Sequence, residues 1–122
     1  MCRDVWWPEW SSTFRGLHQI NGFHGLMWIS TSFNGWYRDF ADDAFDIPIA
    51  DAWLDNMYDA NISNGFDQCP VSRGVGTSQA NLWSRMDNER YNNVFSDPVN
   101  PTWHGVIYIR GCDPQSDPAL PN

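Results

Sequence analysis

Two short tracts each bring a chemically active side chain to the end of an apolar run. Residues 19–25, QINGFHG, deliver His24 before a glycine, and residues 105–112, GVIYIRGC, deliver Cys112 after one. If both runs are buried strands, an imidazole and a thiol emerge at strand ends. The imidazole can polarise the attacking thiol or protonate a leaving amine, while backbone N–H groups hold the oxyanion. A His24–Cys112 dyad would hydrolyse a peptide or ester bond. The same residues also have plainer roles. A His-Gly at a strand end serves as a hydrogen-bonded turn, and Cys112 serves as a buried small hydrophobe or a disulfide partner. Cys69, placed before Pro70, reads as structural.

Other chemistries have weaker support. His24 and His104, each followed by glycine, would give a metal two imidazoles if their strands adjoined, with His18 or an Asp as third ligand. Asp51, Asp55 and Asp59 recur every four residues, but no D-x-D-x-D-G loop is present, so they read as a solvated helix face rather than a calcium site. Eight tryptophans invite a sugar-binding reading, in which aromatic platforms stack on pyranose faces. Trp10, Trp36, Trp53 and Trp83 fall on predicted core faces, which leaves Trp6, Trp7, Trp28 and Trp103 as platforms. Residues 73–78, RGVGTS, do not form a phosphate-binding fingerprint, and there is no G-x-S-x-G elbow. No cofactor and no metal is therefore expected.

The elements that must position these residues follow from periodicity and breakers. Pro8, Trp10, Phe14 and Leu17 predict a short amphipathic helix over about 7–16, stopped by Gly16. A buried strand over 17–23 follows, with 26–30 continuing it or forming a second short strand. Asn34-Gly35 signals a turn. Trp36, Phe40 and Ala44 share one stripe of a helix over about 36–46 whose outer face is acidic. Ile49, Ala52, Trp53 and Met57 share a face of a helix over about 48–60, closed by Asn64-Gly65. Residues 71–75 form a short strand, Ser78 caps a helix over about 79–94 that buries Leu82, Trp83 and Met86, and 106–109 is the clearest strand. Strand and helix alternate, which implies an α/β layout with a small, mainly parallel sheet flanked by helices. Residues 1–112 make one domain and 113–122 a Pro-rich extended tail.

With 122 residues, the chain is long enough for one core and too short for two. The hydrophobic content of 42%, with 16% aromatic residues, argues against overall disorder. Thirteen Asp, two Glu, seven Arg and no Lys leave a net charge of −8, which disfavours nucleic acid and other polyanions. Such a surface suits a secreted or salt-exposed protein. No apolar run reaches the roughly 18–20 residues of a membrane helix, so no membrane partner is expected. The start, MCRDVWWPEW, lacks the basic and apolar regions of a signal peptide. Three cysteines cannot all pair within one chain, and their spacing matches no zinc motif.

The tract WSSTFRGLHQINGFHG over residues 10–25 resembles a family of uncharacterised extracellular bacterial and archaeal domains with the pattern W...F-x-G-L-H-x-I-x-G-F-H. The resemblance continues through Phe40-Ala41, Ala52-Trp53 and residues 73–76 to Asp97-Pro98. It implies the layout of caspase and gingipain cysteine peptidases, a three-layer α/β sandwich or a fragment of one, and an extracellular location. The family register also places Cys2, rather than Cys112, at the nucleophile position, with the matching histidine upstream of Met1. On that register His24 is structural and the chain is a fragment. Two functions are thus expected: a cysteine-dependent hydrolase using His24 with Cys112, or Cys2, and a non-catalytic secreted binding or assembly module of the same fold. The expected partners are a peptide, ester or carbohydrate ligand and, where apolar area stays open, a second copy of the chain.

Overall fold

The computed structural model describes residues 16–122. Its order is β1 (Gln19–His24), a 3-10 turn (Thr31–Phe33), α1 (Asn34–Asp46), α2 (Ile49–Met57), β2 (Asp59–Ser63), β3 (Phe66–Gly76), α3 (Gln79–Asn88) and β4 (Trp103–Tyr108). The predicted helix over 7–16 lies outside the described residues apart from Gly16.

The sheet is antiparallel throughout, which corrects the expectation of a mainly parallel, caspase-like sandwich. Long β3 is its spine. β1 pairs along one edge from Gln19↔Gly74 to His24↔Cys69, and β4 pairs from Val71↔Tyr108 to Gly76↔Trp103. β2 pairs with the start of β3 through Asp59↔Gln68 and Ser63↔Phe66. The strand order β1-β3-β2 puts β2 and β4 end to end on the edge opposite β1. Asn64-Gly65 is the cause of the hairpin. Both residues have positive φ, 53° and 84°, as a two-residue turn matched to strand twist requires. This turn also cuts α2 short at Met57, because Asp59 is taken by the ladder rather than by a further helical turn.

Alternation along β3 gives the sheet two distinct faces. Phe23, Ile107 and Gly74 point toward the helices. Trp53 of α2 packs on Phe23 with ring centroids 5.4 Å apart and meets Phe40 of α1 edge-on at 5.2 Å. Its indole N–H donates to the Gly22 carbonyl at 3.0 Å. Ala50, Leu82 and Met86 join α2 and α3 over Ile107. Ser78 caps α3 as expected, its hydroxyl accepting from the Asn81 N–H at 3.1 Å. The helices lie on this one face, so among the described residues the arrangement is two layers and not three. Trp83, expected in the core, is 37% exposed.

Close approach of α3 to the sheet depends on absent side chains. A Cβ on Gly76 would stand 2.4 Å from the Leu82 backbone nitrogen. Gly76→Ala must therefore push α3 outward, and we expect a loss of about 1–3 kcal/mol by urea denaturation.

The opposite face carries Cys69 and Val71, covered by Cys112 and Leu120. The last residues, without helix or strand, pack back onto the domain. The Leu120 N–H donates to the Cys112 carbonyl at 2.8 Å, the Leu26 N–H donates to the Gln115 carbonyl at 3.0 Å, and Leu120 is buried. No helix among the described residues is long and apolar enough to cross a membrane.

Candidate functional site

The two strand ends nominated by sequence do meet, but not as a thiol and a base. Cys112 is disulfide-bonded to Cys69, with Cα atoms 5.8 Å apart, and Cys69 lies opposite His24 in the β1–β3 register. Directly opposed residues share a sheet face, so His24 is brought beside the disulfide. The Cys112 sulfur is thereby held in a bond and has no thiolate with which to attack. Both cysteines and His24 are also buried. The Nε2–H of His24 donates to the Pro118 carbonyl at 2.8 Å, while its buried Nδ1 has no hydrogen-bond partner among the described residues. The following glycine has a structural cause. Gly25 has φ +76°, and a Cβ there would fall 2.5 Å from Pro114 of the returning tail. Thus His24-Gly25 marks where β1 ends against the C-terminal segment. Cys2 lies outside the described residues.

The histidines do not gather around a metal. β3 runs between the strands that bear His24 and His104, and their partners on it, Cys69 and Val75, lie six positions apart. Burial and then nearby Arg73 lower the pKa of His104, which favours its neutral form. Among the described residues, Asp67, Cys69 and Cys112 cluster closely enough to hold an ion. Both sulfurs are in the disulfide, and the Asp67 carboxylate accepts from the N–H groups of Asn61 and Asp113 at 2.9 and 3.0 Å. That cluster is a staple for the hairpin and the tail. Of the tryptophans expected as platforms, Trp103 is exposed on β4 and Trp28 is half-buried, while Trp6 and Trp7 lie outside the described residues.

Among the described residues, His18, just ahead of β1, stands between two carboxylates. Its Nδ1 bonds Glu89 Oε2 at 2.6 Å and its Nε2 bonds Asp97 Oδ1 at 2.8 Å. Ionised carboxylates only accept, so with both acids ionised each ring nitrogen donates, an arrangement that favours the imidazolium. Burial opposes that charge, but the bonds to Asp97 and Glu89 outweigh it and raise the pKa above the usual histidine value. The two carboxylates differ in kind. Glu89 is buried and also accepts from the Phe95 N–H at 2.8 Å, whereas the Asp97 side chain is 76% exposed. The inner bond is structural. The outer one belongs to the class of exposed ion pairs worth about 0–1 kcal/mol.

A cleft of about 370 Å³ opens beside His18 and Glu89, walled by Leu17, Ile49, Tyr91 and Val94, with Gln19 and Asn21 along β1. A second recess of about 280 Å³ is lined by Gly16, Asp97, Pro98, Val99 and Asn100. Gly16 lines both, so the His18–Asp97 bond lies between the two. Apolar walls with a few convergent polar groups are what small-molecule sites present. The amides are ordered: Asn21 Oδ1 accepts from Gln19 Nε2 at 3.0 Å and from Ser72 Oγ at 2.7 Å.

Sequence reading weighed His18 only as a spare metal ligand and passed over Glu89 and Asp97 as a site. A signal was present. Glu89 is one of two glutamates in the chain and falls at the C-terminal end of α3, where the helix dipole disfavours a carboxylate. An acid in that place gains from a cation beside it, and His18 lies within hydrogen-bond reach of Glu89.

A family described as a domain of unknown function, DUF6345, matches residues 2–111 of the chain. No curated protein matches, and no solved structure matches.

Proposed function

We propose that this chain, which belongs to the DUF6345 family, is a secreted, non-catalytic binding module that takes a small ligand in the cleft beside His18. The observation that carries this reading is the buried Cys69–Cys112 disulfide. It withholds the thiol that hydrolysis by Cys112 would need. Bonds of this kind also persist in oxidising compartments and are rare in reducing ones. The cleft offers the other half of the function, with apolar walls from Leu17, Ile49, Tyr91 and Val94 around the His18–Glu89 pair. A cysteine hydrolase built on Cys112 would need that bond reduced and a substrate path to a buried sulfur.

The test joins thiol labelling with ligand mapping. Oxidised protein is treated with an alkylating reagent, then screened by NMR against a small-molecule fragment set. Cys112 should resist labelling until a reductant is added, and fragment-induced shifts should fall on Leu17, Tyr91 and Val94. Rapid labelling of Cys112 in protein never exposed to reductant, with ester hydrolysis lost in Cys112→Ala, would return the molecule to the hydrolases.

A further inference from the structure

We propose that the cleft and the neighbouring recess are one binding site divided by the His18–Asp97 bond, and that its ligand is a small organic monocarboxylate whose carboxylate displaces Asp97 from His18. The inference rests on the reading of the cleft as a ligand site. Four observations lead to it. First, the outer nitrogen of His18 already holds a carboxylate, at 2.8 Å, and that carboxylate is presented by an exposed side chain rather than a buried one. Asp97 therefore occupies a seat shaped for an acid and can leave it for water. Second, the inner nitrogen is fixed by buried Glu89 at 2.6 Å, so the ring stays in place when Asp97 leaves.

Third, charge balance favours exchange over simple addition. The charges of His18 and of buried Arg85 on α3, which acts on the same ring, offset those of Glu89 and Asp97, so the seat is balanced by the single negative charge of Asp97. An incoming monocarboxylate replaces that charge one for one. A dianion would add to it, in a chain already at −8. A cation would have to compete with His18 itself. Fourth, the surroundings suit an apolar body behind the acid. Leu17, Tyr91 and Val94 are exposed large apolar groups on the cleft wall, and Val99 is exposed at the adjoining recess. Asn21 uses its carbonyl oxygen for Gln19 and Ser72, and among the described residues its NH2 group has no partner. That group is a further donor for an acceptor on the ligand.

The experiment titrates the full, oxidised chain with three probes of one shape: phenylacetate, phenylacetamide and phenethylamine. Calorimetry gives affinity, and 15N-detected NMR follows the His18 ring. Phenylacetate should bind more tightly than the neutral and cationic probes and should shift the His18 Nε2 resonance. Asp97→Asn, which weakens the internal competitor, should tighten phenylacetate by about two- to fivefold, the range that an exposed ion pair allows. His18→Gln, checked for folding by circular dichroism, should weaken it by at least about tenfold, as loss of a charge-assisted bond implies. Equal or tighter binding of phenylacetamide or phenethylamine in the cleft would overturn the carboxylate seat while leaving the cleft a ligand site. Unchanged phenylacetate affinity in Asp97→Asn would do the same. Absence of binding by all three probes, with no fragment shifting Leu17, Tyr91 or Val94, would overturn both readings.

Discussion

Replacing both disulfide cysteines, as Cys69→Ala with Cys112→Ala, is expected to cost about 2–4 kcal/mol and to lower the melting temperature by roughly 10 °C or more. The cross-link spans 43 residues and closes a loop running from the start of β3, through α3, to the segment after β4. Opening a loop of that size restores a large conformational freedom to the unfolded chain. The native state also loses an anchor. The C-terminal segment reaches back from Cys112 to lay Leu120 on the sheet, and its carbonyls accept from His24 and from the Leu26 N–H. Removing both cysteines tests the bond without leaving an unpaired thiol at either of its two positions. Hydrogen exchange should report the loss first at the amides of Leu26 and Leu120, before the centre of β3 loses protection. A double variant that melts within about 3 °C of the parent, with Leu26 and Leu120 still protected, would show that the tail is held by packing alone.

Helices were the legible part of the chain and strand pairing was not. Trp36, Phe40 and Ala44, then Ile49, Ala52, Trp53 and Met57, repeat at helical spacing, and the structure buries or half-buries each of them. Local periodicity identifies a face whatever that face later meets. Strand direction is a different matter, since it is decided by the connections. Alternation of strands with helices suggested parallel crossovers, but one turn reverses the chain between β2 and β3, and β4 pairs antiparallel with β3 although α3 lies between them. Asn64-Gly65 joins β2 to β3 as a hairpin, yet the Asp51, Asp55, Asp59 spacing had assigned Asp59 to a helix and hidden β2. The site was obscured for a similar reason. His24 and Cys112 stood out because each ends an apolar run, and the structure explains both by the returning tail. Glu89 and Asp97 lie 71 and 79 residues from His18 in sequence, and no local pattern joins them to it.

Glu89→Ala is expected to destabilise the protein by about 2–3 kcal/mol near pH 6, because one buried carboxylate serves two donors. Its loss leaves the Nδ1–H of His18 and the Phe95 N–H without their acceptor. The same clamp makes stability depend on pH with a definite sign. The pKa of His18 is raised in the folded state, since the bonds to Asp97 and Glu89 outweigh burial and the opposing charge of Arg85 on α3. The folded protein therefore holds this proton more tightly than the unfolded chain. The stabilisation is fully present below the unfolded value of about 6.5 and is lost as pH rises through the raised folded value. His104 acts in the other direction, because its pKa is lowered and folding loses stability as pH falls below the unfolded value. Urea denaturation of the parent, His18→Gln and Glu89→Ala at about pH 6 and pH 9 separates the two. The parent should lose more stability between these values than His18→Gln, and Glu89→Ala should lie between them, since Asp97 still holds the outer nitrogen. A parent and a His18→Gln variant with the same dependence would mean that the ring is not an imidazolium in the fold. The carboxylate exchange proposed at this seat would then lose the charge on which it depends.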